Sequence, residues 1–432
     1  MPMSAIVVLL LDGLGDRAYP ELGGRTASEA AHIPHLDALA ARGASGLLHP
    51  LGRGRAPSSD VAHWAILGGH PEEFPGRAVF EALGRSQRVD PADVYAYAAL
   101  RSAEYRDGAL WVTGRARHED AADAAQLLEF VAHREVDGFD FDLTDVTRGE
   151  AVLQIGGDGC DAVTDSDPFF PSLHPVLQPI PLTPAAAGTA AAATRWTQAL
   201  VRELRFHPVN QARSLGGLPP LNVLTLKWWG RLRSIPPFRA RHGLDGVLIA
   251  ASPFLAGLAK VLGLGFIPIP DREDLEAAYG ERLDVAAGLL RDGVKFVFCH
   301  SKSVDDAGHT KDVQNRVAAL ENLDTVLDRL DRPEFSGATV LVTGDHATPA
   351  VAGLIHSGDP VPFVLAGPAV RPDQVAAFGE RQCEQGRLGH LLGSDVMPVL
   401  LDAVDRSLFL GSRPTDTTRP VGLPVDVVPL RP

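Results

Sequence analysis

An apolar run, Ala338-Thr339-Val340-Leu341-Val342, breaks into Thr343-Gly344-Asp345-His346-Ala347-Thr348-Pro349, and a second polar loop, His356-Ser357-Gly358-Asp359-Pro360, follows it. A continuous apolar run has no face for solvent, so it suits a strand covered on both sides, the setting of a parallel sheet. The adjacent Asp and His at its end are oxygen and nitrogen donors of the kind a divalent metal takes at the carboxyl edge of such a sheet. The N-terminus repeats the pattern, with apolar residues 5–11 stopping at Asp12-Gly13-Leu14-Gly15-Asp16. Thr26-Ala27-Ser28-Glu29 then has the spacing of a capping box that opens a helix. Further on, residues 246–251 precede a helical pattern over 254–262, and residues 294–299 form another apolar run. This alternation predicts an α/β fold with a doubly wound, mostly parallel sheet.

Residues 84–184 differ in character. Short strand candidates fall at 109–113 and 151–155, an acidic helix candidate spans 119–132, and the segment closes on Pro184-Ala185-Ala186-Ala187-Gly188-Thr189-Ala190. The expected organisation is a metal-binding core of residues 1–83 and 185–432, with 84–184 as an inserted, smaller α+β substrate-binding domain and the Ala-rich run as a linker. A chain of 432 residues with 45% hydrophobic content has room for both. The run at 5–11 is too short to cross a bilayer and lacks a basic flank, so neither signal peptide nor anchor is expected, and the expected location is cytoplasmic. Cys160, Cys299 and Cys383 show no CxxC spacing and fit free thiols. A net charge of -14 disfavours nucleic acid or an anionic membrane as partner. A small phosphorylated substrate remains compatible, because bound metal ions reverse the local field.

The candidate ligands all sit where strands of such a sheet reach their carboxyl edge. Asp12 ends the first run, Asp305-Asp306-Ala307-Gly308-His309 follows the run at 294–299, and Asp345, His346 and His356 follow the run at 338–342. Asp305 and His309 lie one helical turn apart and can face one ion together. Two divalent ions can therefore be held, and a mixed carboxylate and imidazole set suits Mn²⁺ or Zn²⁺ better than Ca²⁺. In Arg55-Ala56-Pro57-Ser58-Ser59-Asp60-Val61-Ala62-His63, either serine offers a hydroxyl ahead of a helical run, where a helix N-terminus favours phosphate and a nearby metal eases deprotonation.

These pieces, taken together, resemble the cofactor-independent (2,3-bisphosphoglycerate-independent) phosphoglycerate mutases, archaeal-type branch, within the alkaline phosphatase superfamily. The resemblance runs through Leu11-Asp12-Gly13-Leu14-Gly15-Asp16, Gly24-Arg25-Thr26-Ala27-Ser28-Glu29, Ser59-Asp60-Val61-Ala62-His63, Gly76-Arg77, Phe80-Glu81-Ala82-Leu83-Gly84 and Asp165-Ser166-Asp167-Pro168. It continues through His207-Pro208-Val209-Asn210, Asp305-Asp306-Ala307-Gly308-His309 and the Asp345 and His356 loops. It implies an alkaline phosphatase-like core and metal-dependent phosphoryl transfer through a phosphoserine. The implied reaction interconverts 2-phosphoglycerate and 3-phosphoglycerate, or is a related phosphomutase reaction. It makes Ser59 rather than Ser58 the nucleophile. It implies one metal, Mn²⁺, Zn²⁺ or Mg²⁺, on Asp305, His309 and His356, and a second on Asp12, Asp345, His346 and the Ser59 oxygen. Lys302 falls in a segment similar to the family's His-x-Lys-x-x-Asp pattern, which implies phosphate contact. No organic cofactor is implied.

The expected substrate grip is altered. Where the family's first insert strand looks like Phe-Arg-Cys-Asn, this chain reads Ala96-Tyr97-Ala98-Ala99, and an Asp-Arg-Arg-Ala-Gly-Arg element is reduced to Val112-Thr113-Gly114-Arg115-Ala116-Arg117. Arg115, Arg117 and Arg148 are the remaining candidates for binding the acid group. A later arginine gives way within Leu226-Lys227-Trp228-Trp229, and Pro270-Asp271-Arg272-Glu273 replaces a Gly-rich loop. Neither tyrosine nor lysine reproduces the two-point hold of an arginine fork. The expectation is a mutase-type enzyme with a changed substrate preference; the alternative is a phosphomonoesterase or phosphonate hydrolase of the same superfamily.

Overall fold

The computed structural model describes residues 4–167, 174–272, 274–407 and 430–431. Pro168 and Glu273, parts of two motifs named above, lie outside the described residues. Among the described residues the strands run, in chain order, β1 (Ile6–Leu11), β2 (Ala44–His49), β3 (Val94–Arg106), β4 (Ala109–Arg115), β5 (His133–Val136), β6 (Phe139–Thr147), β7 (Glu150–Gly156) and β8 (His174–Pro175). They continue with β9 (Val223–Gly230), β10 (Gly246–Ala250), β11 (Gly265–Pro268), β12 (Phe296–Ser301), β13 (Thr339–Thr343), β14 (Val361–Ala366) and β15 (Gly389–Leu392). The chain divides into two compact units, Met1–Phe74 with Ile235–Pro432, and Pro75–Ser234.

The first unit is built on a sheet of order β11-β10-β12-β1-β13-β14-β2-β15. The strands β11, β10, β12, β1 and β13 pair in parallel, and β14 alone runs against its neighbours β13 and β2. This is the expected mostly parallel, α/β core. Every residue of β1, β12 and β13 is buried, which is why these strands read as unbroken apolar runs rather than as alternation.

The second unit is an antiparallel sheet of order β5-β6-β7-β3-β4-β8, with β9 paired to β3. Its extent differs from the expected 84–184. The helix Arg77–Gly84 belongs to it because Ala78, Val79 and Ala82 pack against Tyr95, Tyr97 and Val152. At the other end, β9 belongs to it because it hydrogen-bonds along β3. The Ala-rich run expected as a linker is the start of the helix Ala187–Phe206, whose Ala190, Ala193 and Trp196 lie in the core of this unit. Small side chains let that helix sit close to the sheet, and Trp196 stacks on Phe141 with ring centroids 5.3 Å apart. Trp229 is buried in the same core. Among the described residues no helix is long and apolar enough to cross a membrane.

Candidate metal centre

The order β12-β1-β13 places three neighbouring parallel strands side by side, so their carboxyl ends open at one edge. Asp12 directly follows β1, and its N–H donates to the Ser301 carbonyl at the end of β12 at 2.9 Å. Asp305 and His309 lie on the helix Ser303–His309 that follows β12, and Asp345 and His346 follow β13. Backbone hydrogen bonds stitch the loops together: Gly15 N–H to His346 O at 3.1 Å, Thr348 N–H to Gly15 O at 3.0 Å and Ser357 N–H to Ala347 O at 3.0 Å. Gly13 is needed where it stands. Its φ is +68°, and a Cβ there would lie 2.7 Å from Asp305 Oδ1.

Two sets of donors result. Asp305, His309 and His356 form one, and Asp12, Asp345 and His346 the other; within each, one donor atom per residue lies within 4.8 Å of the others. These are the two groupings expected from the sequence, with Ser59 Oγ added to the second at 3.0 Å from His346 Nε2. The His356 Nδ1–H donates to the Pro57 carbonyl at 2.8 Å, which leaves Nε2 as the nitrogen that could serve an ion. The His346 and His356 rings stack 3.7 Å apart, so the two groups adjoin.

The electrostatics call for cations. Burial works to raise Asp12, but Lys302, His300 and His346 hold its carboxyl well below the usual range. Burial and the Asp12 carboxylate push Asp345 up. Burial alone would lower His346, yet Asp345 and Asp12 raise it to about 9. Burial and then His346 push His356 down to about 4. Asp12 Oδ1 and Asp345 Oδ2 are buried without a hydrogen-bond partner, which is costly for a carboxylate unless a cation completes it. Carboxylate and imidazole donors gathered in this way fit divalent ions.

Ser59 opens the helix Ser59–Ile66, with Ser58 as its extended N-cap and Ser58 Oγ turned to Asp60. The two serines are thus distinguished: Ser59 faces the second donor group, and the Ser58 hydroxyl donates to the Asp60 carboxylate. Lys302 lies against the ligands themselves, its Nζ 2.7 Å from Asp305 Oδ2 and 3.6 Å from Asp12 Oδ2. In the second unit, Arg115 and Arg117 line a polar cavity of about 580 Å³ together with Asp120, Asp123 and buried Arg213. Arg148, in contrast, stands exposed in the turn between β6 and β7 and does not line that cavity.

Three supporting residues were not singled out from the sequence. The fully buried Arg316 donates to the carbonyls of Gly13, Leu14 and Gly15 at 3.0 to 3.2 Å, to that of Thr348 at 2.7 Å, and pairs with Asp16 at 3.3 Å. One guanidinium therefore braces the loops behind Asp12 and His346. Nothing in the local pattern marks it, since it is one basic residue in a mixed helix, Val313–Asp324. His63 Nδ1 donates to the Ser59 carbonyl at 2.7 Å and lies 3.4 Å from Asp345 Oδ2, tying the serine turn to a ligand. His300 Nε2 lies 3.2 Å from Asp12 Oδ2. Both histidines stood inside motifs quoted above, so the signal was present without an assigned role.

A sheet edge with two ligand groups beside a serine-headed helix defines a metalloenzyme, and the sequence pattern of the Metalloenzyme superfamily matches residues 4–403. A 2,3-bisphosphoglycerate-independent phosphoglycerate mutase of Methanopyrus kandleri is 35% identical over 416 residues, which cover 93% of this chain and 96% of that one. One of Ignicoccus hospitalis is 34% identical, over 95% and 100% of the two chains. The solved cofactor-independent phosphoglycerate mutase of Thermoplasma acidophilum superposes with a TM-score of 0.64 at 28% identity, covering 93% of this chain and all of that one. A Pyrococcus horikoshii protein superposes with a TM-score of 0.76 at 29% identity, over 95% and 100%. The chain belongs to the metalloenzyme superfamily and, within it, to the family of the 2,3-bisphosphoglycerate-independent phosphoglycerate mutases. It is an enzyme of phosphoryl transfer.

Proposed function

We propose that this protein is a cytoplasmic phosphomutase that moves a phosphoryl group between the hydroxyls of a small phosphorylated acid, 2- and 3-phosphoglycerate or a close relative, through phosphoserine at Ser59. The observation that carries this reading is the position of Ser59 Oγ, 3.0 Å from His346 Nε2 at the first turn of its helix. Mn²⁺, Zn²⁺ or Mg²⁺ held by Asp305, His309 and His356, and by Asp12, Asp345 and His346 with Ser59, would supply positive charge for the phosphoryl oxygens and a lowered hydroxyl pKa. Ser59 Oγ gives up its proton and forms a bond to phosphorus as the bond to the substrate oxygen breaks, and that oxygen takes up the proton to leave as a hydroxyl. The free N–H groups at the start of the Ser59 helix face the added negative charge. The second hydroxyl of the retained acid then gives up its proton and bonds to phosphorus, the bond to Ser59 breaks, and Ser59 Oγ takes the proton back. Lys302 adds a cation beside both ligand groups. Arg115, Arg117 and Arg148 are the candidates for holding the acid group.

The test follows the Mn²⁺-loaded protein on 3-phosphoglycerate, measuring 2-phosphoglycerate and free phosphate together. Interconversion without phosphate release is expected, and Ser59→Ala should lower it by roughly 10⁴-fold or more with metal content unchanged. Phosphate release in place of interconversion would make the enzyme a hydrolase, and turnover retained in Ser59→Ala would remove the phosphoserine.

A further inference from the structure

Thr348 belongs to neither ligand group, yet it touches both. Its hydroxyl donates to Asp305 Oδ1 at 2.7 Å and lies 3.0 Å from His346 Nδ1. The side chain is buried, and a hydroxyl has one proton to give. An ionised carboxylate only accepts, so the proton goes to Asp305, and Thr348 Oγ1 must accept from a His346 Nδ1–H. Nε2 is then the nitrogen left to give up its proton and offer a lone pair, and it faces Asp345 Oδ2 at 3.2 Å, Asp12 Oδ1 at 3.3 Å and Ser59 Oγ at 3.0 Å. One hydroxyl thus orients a carboxylate of the first group and fixes both the ring and the tautomer of an imidazole in the second.

The backbone that carries this hydroxyl is held from both sides. The Thr348 N–H is bound to Gly15 O at 3.0 Å, and its carbonyl accepts from Arg316 Nη1 at 2.7 Å. From the Asp305 side, Gly308 packs so close that a Cβ there would come within 2.4 Å of the Thr348 carbonyl. We propose that Thr348 is a positioning residue that couples the two metal sites: an ion that orders Asp305 also orders His346, so the second ion binds to a group already arranged. The cost of ordering is met once, which is a source of positive cooperativity. The proposal rests on the reading that these two groups hold metal ions.

The experiment is calorimetric titration of Mn²⁺ into the metal-stripped full chain, for wild type, Thr348→Ser and Thr348→Val. Wild type should take two ions with the second bound more tightly than independent sites allow, and Thr348→Ser, which keeps the hydroxyl, should match it. Thr348→Val keeps the shape without the hydroxyl; it should bind both ions roughly tenfold or more weakly and without cooperativity. A valine variant equal to wild type, or one weakened at a single site, overturns the coupling, whereas a wild type that binds no ions overturns the metal reading beneath it. A second measurement covers a valine variant that does not fold. In the Zn²⁺-loaded wild type, the ring ¹⁵N shifts of His346 should show metal on Nε2 and a proton on Nδ1, and metal on Nδ1 would overturn the proposal.

Discussion

The candidate functional groups of the two units are held in opposite ways. In the first, Asp12, Asp345, His346 and Arg316 are buried, and each is fixed by more than one partner. In the second, Arg115, Arg117 and Arg148 stand exposed on a strand end, a loop and a hairpin turn. One face of the second sheet also carries a paired replacement. Tyr97 and Lys227, at positions where the family pattern leads one to expect arginine, are direct cross-strand partners. The Lys227 ammonium lies 5.6 Å from the Tyr97 ring centre and 4.2 Å from that of Trp228, and the Arg77 guanidinium lies 4.0 Å from Trp228. Trp228 has a φ of +59° beside a register shift between β3 and β9, a backbone state that bulky residues rarely adopt and that re-aims its side chain. The candidate metal centre is over-determined by its neighbours, whereas the second sheet carries a paired replacement.

The largest expected effect comes from breaking that over-determination. Arg316→Met keeps length and apolar packing but leaves the carbonyls of Gly13, Leu14, Gly15 and Thr348, and the Asp16 carboxylate, without their shared donor. Removing one partner of a buried charge pair costs roughly 3–5 kcal/mol. Denaturant unfolding of the metal-stripped variant should show that loss, and calorimetry should show weaker Mn²⁺ binding. Unchanged stability and metal affinity would mean that the ligand loops hold themselves and that the contrast between units is overstated.

How much of this could be read from the sequence follows from which interactions are local. Burial on both faces writes itself into a strand as an unbroken apolar run, so β1, β12 and β13 and the donors at their ends were legible. Asp305 and His309 were legible as a pair because one helical turn fixes their spacing. The choice between Ser58 and Ser59 was not readable from the turn alone, since both precede the same helix; the structure separates them by direction. Arg316 was invisible because its partners lie in loops far away in the chain. The boundary of the second unit was misplaced because the pairing of β9 with β3 is also non-local, and an Ala-rich run reads as a linker until the sheet it covers is known.

A smaller effect should sharpen the same contrast from the other side. Arg115 pairs across the sheet with Arg101 and opens onto the polar cavity of the second unit. If it grips the acid group of the substrate, Arg115→Ala loses one charge-assisted contact, on the order of 1.5–3 kcal/mol. Steady-state kinetics should then show KM raised about tenfold or more, with metal content and thermal stability as in wild type. A variant with unaltered KM would move substrate recognition away from this cavity, and one that lost its metals would erase the division of labour between the units.

The finest test concerns what dense packing in the first unit costs. Glu380 is half-buried, with Oε1 enclosed and lacking a partner, while Oε2 accepts from the Thr26 hydroxyl at 2.6 Å. Burial, reinforced by Asp16 and opposed by the Thr26 hydroxyl and Arg316, pushes its carboxyl from the ordinary 4.5 up to about 8. Because the folded value is the higher one, between these pH values the native chain keeps a proton that the unfolded chain has released. The contribution to stability is therefore complete below about pH 4.5 and is lost as pH rises toward 8, at up to about 1.4 kcal/mol per pH unit. Glu380→Gln keeps an acceptor for Thr26 and cannot ionise. Denaturant unfolding of metal-stripped wild type and variant across this range should show the variant gaining on wild type as pH rises, whereas parallel curves would show that Glu380 is charged in the native state and that water or a side chain already serves Oε1. Since the difference between the two curves cancels every other titrating group, it isolates a local cost of close packing around the loops that Arg316 and Asp16 hold.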